Sequence, residues 1–169
     1  MKVLSKIVLV ILSSLLLFSC AGKKKQKTVY MGKTYKELKR DLPDATVTIV
    51  NDSIKVLFPE NLMFATGSAE LNQSFGPKMK TFAGILNKYH KTSILINGYT
   101  DNTGSVELNN KLSNDRANAA KLSLISESVN KGRLHSWGHG SNDPIGSNET
   151  VEGRQKNRRV EFIVLYNVD

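Results

Sequence analysis

The sequence predicts an α+β fold, one sheet covered by two helices and preceded by a hairpin. Three observations carry the expectation. Two β-branched runs flank a polar turn near residue 52; two stretches of helical period, over 73–89 and 108–128, alternate with short apolar runs; and a β-rich run closes the chain. Counted from Thr46, about 124 residues are present, enough for one domain with its own core.

The elements follow in order. Thr46 to Val50 and Ile54 to Phe58, joined by Asn51-Asp52-Ser53, form the hairpin, and Pro59 stops its second strand because proline gives no ladder donor. From Gln73 to Tyr89, Phe75, Met79, Phe82, Ala83 and Leu86 recur at helical spacing. Ser93 to Asn97, with Ile94, Leu95 and Ile96, is a buried strand that breaks at Asn97-Gly98 and presents Thr100 and Asp101. Asp101-Asn102-Thr103-Gly104 has the Asp-first, Gly-fourth signature of a type I turn. A helix from about Leu108 to Ser128 follows. On its wheel Asn109, Ser113 and Arg116 form a polar stripe, and Leu108, Leu112, Ala119 and Leu122 form the side expected to pack. Arg133 to Trp137 is a short strand with Trp137 expected in the core, Gly138 to Arg154 a loop rich in Gly, Asn and Pro, and Arg159 to Tyr166 the closing strand.

The start of the chain is organised differently. Residues 1–19 hold two lysines, no acid, and an apolar run from Ile7 to Phe18, too short for the roughly 20 residues a membrane span needs, so they read as a signal peptide. Cys20, the only cysteine, follows at once, and Leu17-Phe18-Ser19-Cys20 resembles a bacterial lipobox, which implies a lipidated Cys20. Residues 22–40 contain eight basic residues against Glu37 alone, while 41–169 hold fourteen of each sign. The net charge of +9 therefore sits outside the expected domain, which leaves little for a phosphate-tracking groove and argues against nucleic acid. Residues 20–45 read as a basic tether that can lie against anionic headgroups and, fully extended, span roughly 85 to 95 Å.

The residues between Asn97 and Ala117 carry the chemistry. A carboxylate on a turn and a guanidinium on the next helix, with amide donors between, are complementary to a ligand bearing both an ammonium and a carboxylate. Alternatives stay open on these residues alone: Asp101 as a turn-capping acid, and Arg116 as a surface arginine paired with Asp115 or Glu107. His90, His135 and His139 lack a metal-ligand spacing, and no G-x-S-x-G or G-x-x-x-x-G-K-[ST] motif occurs, so neither a metal nor catalysis is expected.

Gly98-Tyr99-Thr100-Asp101-x-x-Gly104 followed by Asn109-x-x-Leu112-Ser113-x-x-Arg116-Ala117 resembles the signature of the OmpA-like domain. Phe64 with Gly67-Ser68-Ala69-Glu70-Leu71, the Gly138, Gly140 and Pro144 loop, and Asn157-Arg158-Arg159-Val160-Glu161 fit the same family over residues 46 to 166. Tyr99 departs from it, since many members carry histidine there. The resemblance implies the family's mixed sheet and non-covalent binding of peptidoglycan through the diaminopimelate of its peptide stem. It assigns Asp101 to the amino group and Arg116 to the carboxyl group, with Thr100 and Asn109 as polar neighbours, Leu112 as packing and Arg158 at the border. It implies no cofactor and no enzyme. The chain as a whole then resembles peptidoglycan-associated lipoproteins: an acylated Cys20 in the outer membrane (Ala21 and Gly22 bring no aspartate after it), the domain in the periplasm, and peptidoglycan and lipid as partners. The alternatives are an enzyme acting on peptidoglycan, with Asp101 as its acid, and a wall-bound adaptor docking other envelope proteins.

Overall fold

The computed structural model describes residues 25–167; the expected signal peptide and Cys20 lie outside the described residues. Five strands form one mixed sheet in the order β1-β2-β5-β3-β4. β1 (Thr46–Val50) and β2 (Ser53–Pro59) are the expected hairpin, with a turn of two residues, since Ser53 pairs with Val50 and Asn51 takes a positive φ of 53°. Asparagine tolerates that conformation better than most residues. The closing strand β5 (Arg159–Tyr166) inserts centrally, antiparallel to both β2 and β3 (Thr92–Tyr99). β4 (Leu134–Gly138) lies parallel to β3, so the chain between them must cross over the sheet, and the helix α4 (Val106–Ser126) does so.

Alternation along the strands decides where the core lies. Ile54, Val56 and Phe58 of β2, Val160, Phe162 and Val164 of β5, and Ile94 and Ile96 of β3 are fully buried and sit beside one another in register. α3 (Gly76–Lys88) lays Met79, Phe82, Ala83 and Leu86 on them, and Phe58, Phe75, Phe82 and Phe162 meet at centroid distances of 5.0 to 6.2 Å, mostly edge to face.

Residues 25–41 depart from the expectation. They form a helix, α1, not an extended tether. Met31, Tyr35, Leu38 and Leu42 recur at helical spacing beneath the lysines; Leu38 and Leu42 are buried in the common core, and Thr34 is closed off beside them. Tyr30 packs edge-on against Tyr89 and Tyr166, each at 5.4 Å, and its hydroxyl accepts from the Lys91 backbone N–H at 3.0 Å. Glu37 accepts from Tyr89 at 2.9 Å and pairs with Lys88 at 2.6 Å. Only four residues separate Cys20 from Lys25, so the five chain steps between them span at most about 18 Å.

Smaller differences follow from local chemistry. A short helix α2 (Glu60–Met63) follows Pro59 directly. The presumed loop after β4 contains α5 (Val151–Asn157), whose first turn is capped by Thr150 accepting from Gly153 N–H at 3.0 Å. Trp137 is not in the core: β4 is an edge strand, and the side chain is half exposed on the uncovered face of the sheet, stacked on His135. Among the described residues no helix is long and apolar enough to cross a membrane.

Candidate functional site

One end of the sheet, its upper end here, is where β2 and β3 finish and β5 begins, and the register places Pro59, Tyr99 and Arg159 side by side. Residues just beyond these strand ends converge. Asp101 lies two residues past β3, Glu60 opens α2 after β2, and Arg158 immediately precedes β5. Arg116 reaches the same place from α4.

The close approach of α4 depends on missing side chains. A Cβ on Gly98 of β3 would collide with the Ser113 carbonyl, and one on Gly138 of β4 with the backbone of Asn114. The Ser113 hydroxyl accepts from the Gly140 N–H at 2.9 Å, and the Gly140 carbonyl accepts from the Thr100 N–H at 2.8 Å. Helix, strand end and following loop are thus pinned together. Ser105 caps α4 by accepting from Leu108 N–H at 3.2 Å, which starts the helix at Val106, ahead of the expected Leu108.

The orientation of α4 reverses part of the sequence expectation. Asn109, Ser113 and Arg116 do face the Asp101 loop, but they are the buried side, continued by Ala117, Ala120 and Leu124. Leu108 and Leu122, expected to pack, are exposed. The physical reason lies beneath: small residues and hydrogen-bonding loops, not apolar side chains, oppose the first half of the helix.

The site is a chain of alternating charge. The Asp101 Oδ1 closes its own turn, accepting from the Thr103 N–H at 2.9 Å and from the Thr103 hydroxyl. Its Oδ2 accepts from Arg158 Nη1 at 2.6 Å, and Arg158 Nε donates to Glu60 Oε2 at 2.7 Å. The other Glu60 oxygen pairs with Arg116 Nη2, while Arg116 Nε donates to the Ser68 carbonyl at 2.9 Å and the guanidinium lies over the Phe64 ring. Two acids and two bases make the network formally neutral. Arg116 is 1% exposed and Glu60 6%; Arg158, one third exposed at its side chain, is the cation open to solvent. Asp115, one of the partners considered for Arg116, pairs instead with Lys111 at 2.5 Å.

Electrostatics follow from these contacts. Burial alone pushes the Asp101 carboxyl up, but hydrogen bonds from Thr103 and Arg158 outweigh it and hold the group below the ordinary carboxylate range. Burial lowers Arg158 as well, and its bonds to Asp101 and Glu60 more than restore it, to a net rise. Arg116 is lowered, because desolvation exceeds what Glu60 returns.

Asn109 serves as a clamp: its Nδ2 donates to the Asp101 carbonyl at 3.3 Å and the Thr103 carbonyl at 3.0 Å, tying the loop to α4. Thr100 is buried, and its hydroxyl is the one buried side-chain polar atom without a partner among the described residues. Leu112 lines an open groove with Gly67, Thr103, Gly104 and Asn109 beside the network. All five sequence-predicted residues therefore gather at one end of the sheet. Glu60 is the member that sequence reasoning missed; its signal was an acid directly after Pro59 at a strand end. Asn157 was also missed as an organiser: fully buried, it accepts from the Ile145 and Gly146 N–H groups at 2.8 Å and donates to Asn148, whose side chain accepts from Asn102 N–H. Of the histidines, His139 stacks on Tyr99 and bonds Asn97, and no group of metal-binding side chains occurs among the described residues.

Comparison with known proteins places this geometry. The OmpA family profile matches residues 63–158, more than half of the chain. The "probable lipoprotein YiaD" of Escherichia coli is 39% identical over 117 residues, covering 69% of this chain and 53% of YiaD. The peptidoglycan-binding protein ArfA of Mycobacterium tuberculosis is 49% identical over 71 residues, 42% of this chain and 22% of ArfA. The cell wall anchor of the T6SS from Pseudomonas aeruginosa superposes with a TM-score of 0.71 at 28% identity, over 79% of this chain and 97% of that one. The chain thus spans about half the length of YiaD and less of ArfA.

Proposed function

The chain belongs to the OmpA family, and from that premise we propose that it is an outer-membrane lipoprotein that grips peptidoglycan non-covalently and ties the membrane to the wall. The ligand is the diaminopimelate of the peptide stem, and Cys20 carries the lipid. One observation carries the reading: the neutral Asp101–Arg158–Glu60–Arg116 network at the upper end of the sheet, beside an open groove. The names of ArfA and the T6SS anchor, a peptidoglycan-binding protein and a cell wall anchor, support the same substrate class.

The geometry suggests binding by exchange. The ligand ammonium takes the Asp101 oxygen that Arg158 holds, and its carboxylate takes guanidinium donors, first those of the more open Arg158 and then, as Glu60 yields, those of Arg116. Internal ion pairs are replaced by equivalent external ones, so no charge is left buried and unpaired. Thr100 and Asn109 hold the loop that presents the carboxylate. Because the new hydrogen bonds replace existing ones, only their difference appears as affinity.

The test is co-sedimentation of the domain with purified sacculi, with assay of the supernatant for released fragments. Saturable sedimentation that falls roughly ten- to a hundredfold in Asp101→Asn, without fragments, is expected. Fragment release abolished by Asp101→Asn would establish an enzyme instead. Sedimentation unchanged in Asp101→Asn would move the site elsewhere.

A further inference from the structure

The docking of α1 gives the molecule two poles, and we infer that the lower pole, opposite the Asp101 site, rests on an anionic lipid surface. The lower end of the sheet is where β2 and β3 begin and β5 ends. The first turns of α1 sit there: Tyr30 touches Tyr166 and the Lys91 backbone, and Lys27 pairs with Asp52 in the hairpin turn at 2.9 Å. Asp101, two residues past the far end of eight-residue β3, stands about 25 Å away.

The lower pole is basic in a patterned way. Lys25, Val29 and Lys33 lie four residues apart on α1, all exposed, and line one shallow depression with Tyr30. Exposed Lys91 adjoins Tyr30, and exposed Lys131 lies in the turn before β4 at the same end. Lys25, Lys33, Lys91 and Lys131 hold no ion pair among the described residues. The acids nearby are engaged or set back: Asp52 with Lys27, Glu37 with Lys88, and Glu127 half-buried at the end of α4. Lys23 and Lys24 precede directly in the chain. An exposed valine between lysines on a helix face suits a headgroup layer, where the apolar group enters and the ammonium groups meet phosphates.

Chain length supplies the second argument. The inference uses the Cys20 anchor of the proposed function only to place the bilayer; the five chain steps from Cys20 to Lys25 then hold the lower pole within about 18 Å of it, whatever path they take. The site points the other way, toward a wall.

Residues 21–169, which contain every described element, lack both lipid and signal peptide and isolate the surface. Flotation with phosphatidylcholine vesicles, with and without phosphatidylglycerol, should show binding to the anionic vesicles alone, lost in high salt. Lys25→Gln, Lys33→Gln and Lys91→Gln together should weaken it by about a hundredfold, roughly fivefold per lysine. Lys80→Gln, Lys111→Gln and Lys156→Gln together, equal in charge but elsewhere, should leave it within a few fold. Equal loss in both triple variants would reduce the effect to net charge and overturn the inference, as would absence of a preference for anionic vesicles or binding to a soluble polyanion without binding to vesicles. Sacculus co-sedimentation on the same proteins reads the wall site separately and should not change in the Lys25 variant.

Discussion

Arg116→Met separates the structural role of the buried arginine from its proposed role in recognition. The arginine is almost wholly buried, and methionine keeps most of its stem while removing the charge. Glu60, buried too, loses one of two cationic partners, and the Ser68 carbonyl loses its donor. Breaking a buried ion pair from one side costs roughly 3 to 5 kcal/mol. Because Arg158 still holds the other Glu60 oxygen, the lower end applies, about 3 kcal/mol, or roughly 10 °C in Tm for a domain of this size. Adding Glu60→Gln removes the stranded charge and should recover about 2 kcal/mol, a coupling that a double-mutant cycle in urea reads directly. A single variant within 1 kcal/mol of the parent, or a double variant no more stable than the single, would refute the buried-pair argument. The double variant has a second use. Stable yet without Arg116, it tests wall binding free of the folding defect that Arg116→Ala would carry.

Three further outcomes are expected. Leu38→Ala should cost about 2 to 5 kcal/mol in unfolding experiments, because Leu38 is fully buried; a tether would show no change, and exposed Lys39→Ala is the control. Gly98→Ala forces a methyl into the Ser113 carbonyl, so it should cost about 1 to 3 kcal/mol and weaken sacculus binding by shifting Asn109 and Arg116 against Asp101; Gly84→Ala, in open space on α3, should be neutral or stabilise by up to about 1 kcal/mol. Asp101 titrates lower when folded than its ordinary value of 3.8, so its contribution is complete above that pH and fades as pH falls through the folded value. The stability gap between the parent and Asp101→Asn should therefore be flat from neutral pH to about 5 and close below about 4, and a gap unchanged at pH 3 would contradict the assignment.

Elements with a strong local period were legible. The closing strand was read with its boundaries intact, Arg159 to Tyr166, because Val160, Phe162, Ile163, Val164 and Tyr166 make the run rich in β-branched and aromatic residues. Helix α3 was legible by its helical period. Helix α1 was not, although Met31, Tyr35, Leu38 and Leu42 keep helical spacing, because lysines dominate its composition. Its partners, moreover, are Tyr89 and Tyr166, far along the chain. Charge density says how a face meets water; it does not say whether the opposite face meets a core. The seven residues of α5 are too few for periodicity to show inside a loop of Gly, Asn and Pro.

The site was half legible, for a physical reason that bears on its task. An acid on a turn and an arginine on the next helix could be placed together from spacing alone, since loop and helix are contiguous. The polarity of α4 could not, because apolar residues go inward only where apolar residues wait for them. Here Gly98, Gly138 and the Thr100 to Thr103 loop wait, and they favour Asn109 and Ser113. Glu60 comes from 56 residues before Arg116, and its one local signal, an acid directly after Pro59, does not say which side chain it will meet. Its presence changes what a ligand must bring. A lone ammonium at Asp101 would leave Arg158 and Arg116 sharing the single carboxylate of Glu60, and a lone carboxylate would leave an acid displaced. A group carrying both charges would exchange into the network with every ion still paired, which is the electrostatic argument for the zwitterionic amino-acid terminus proposed as ligand.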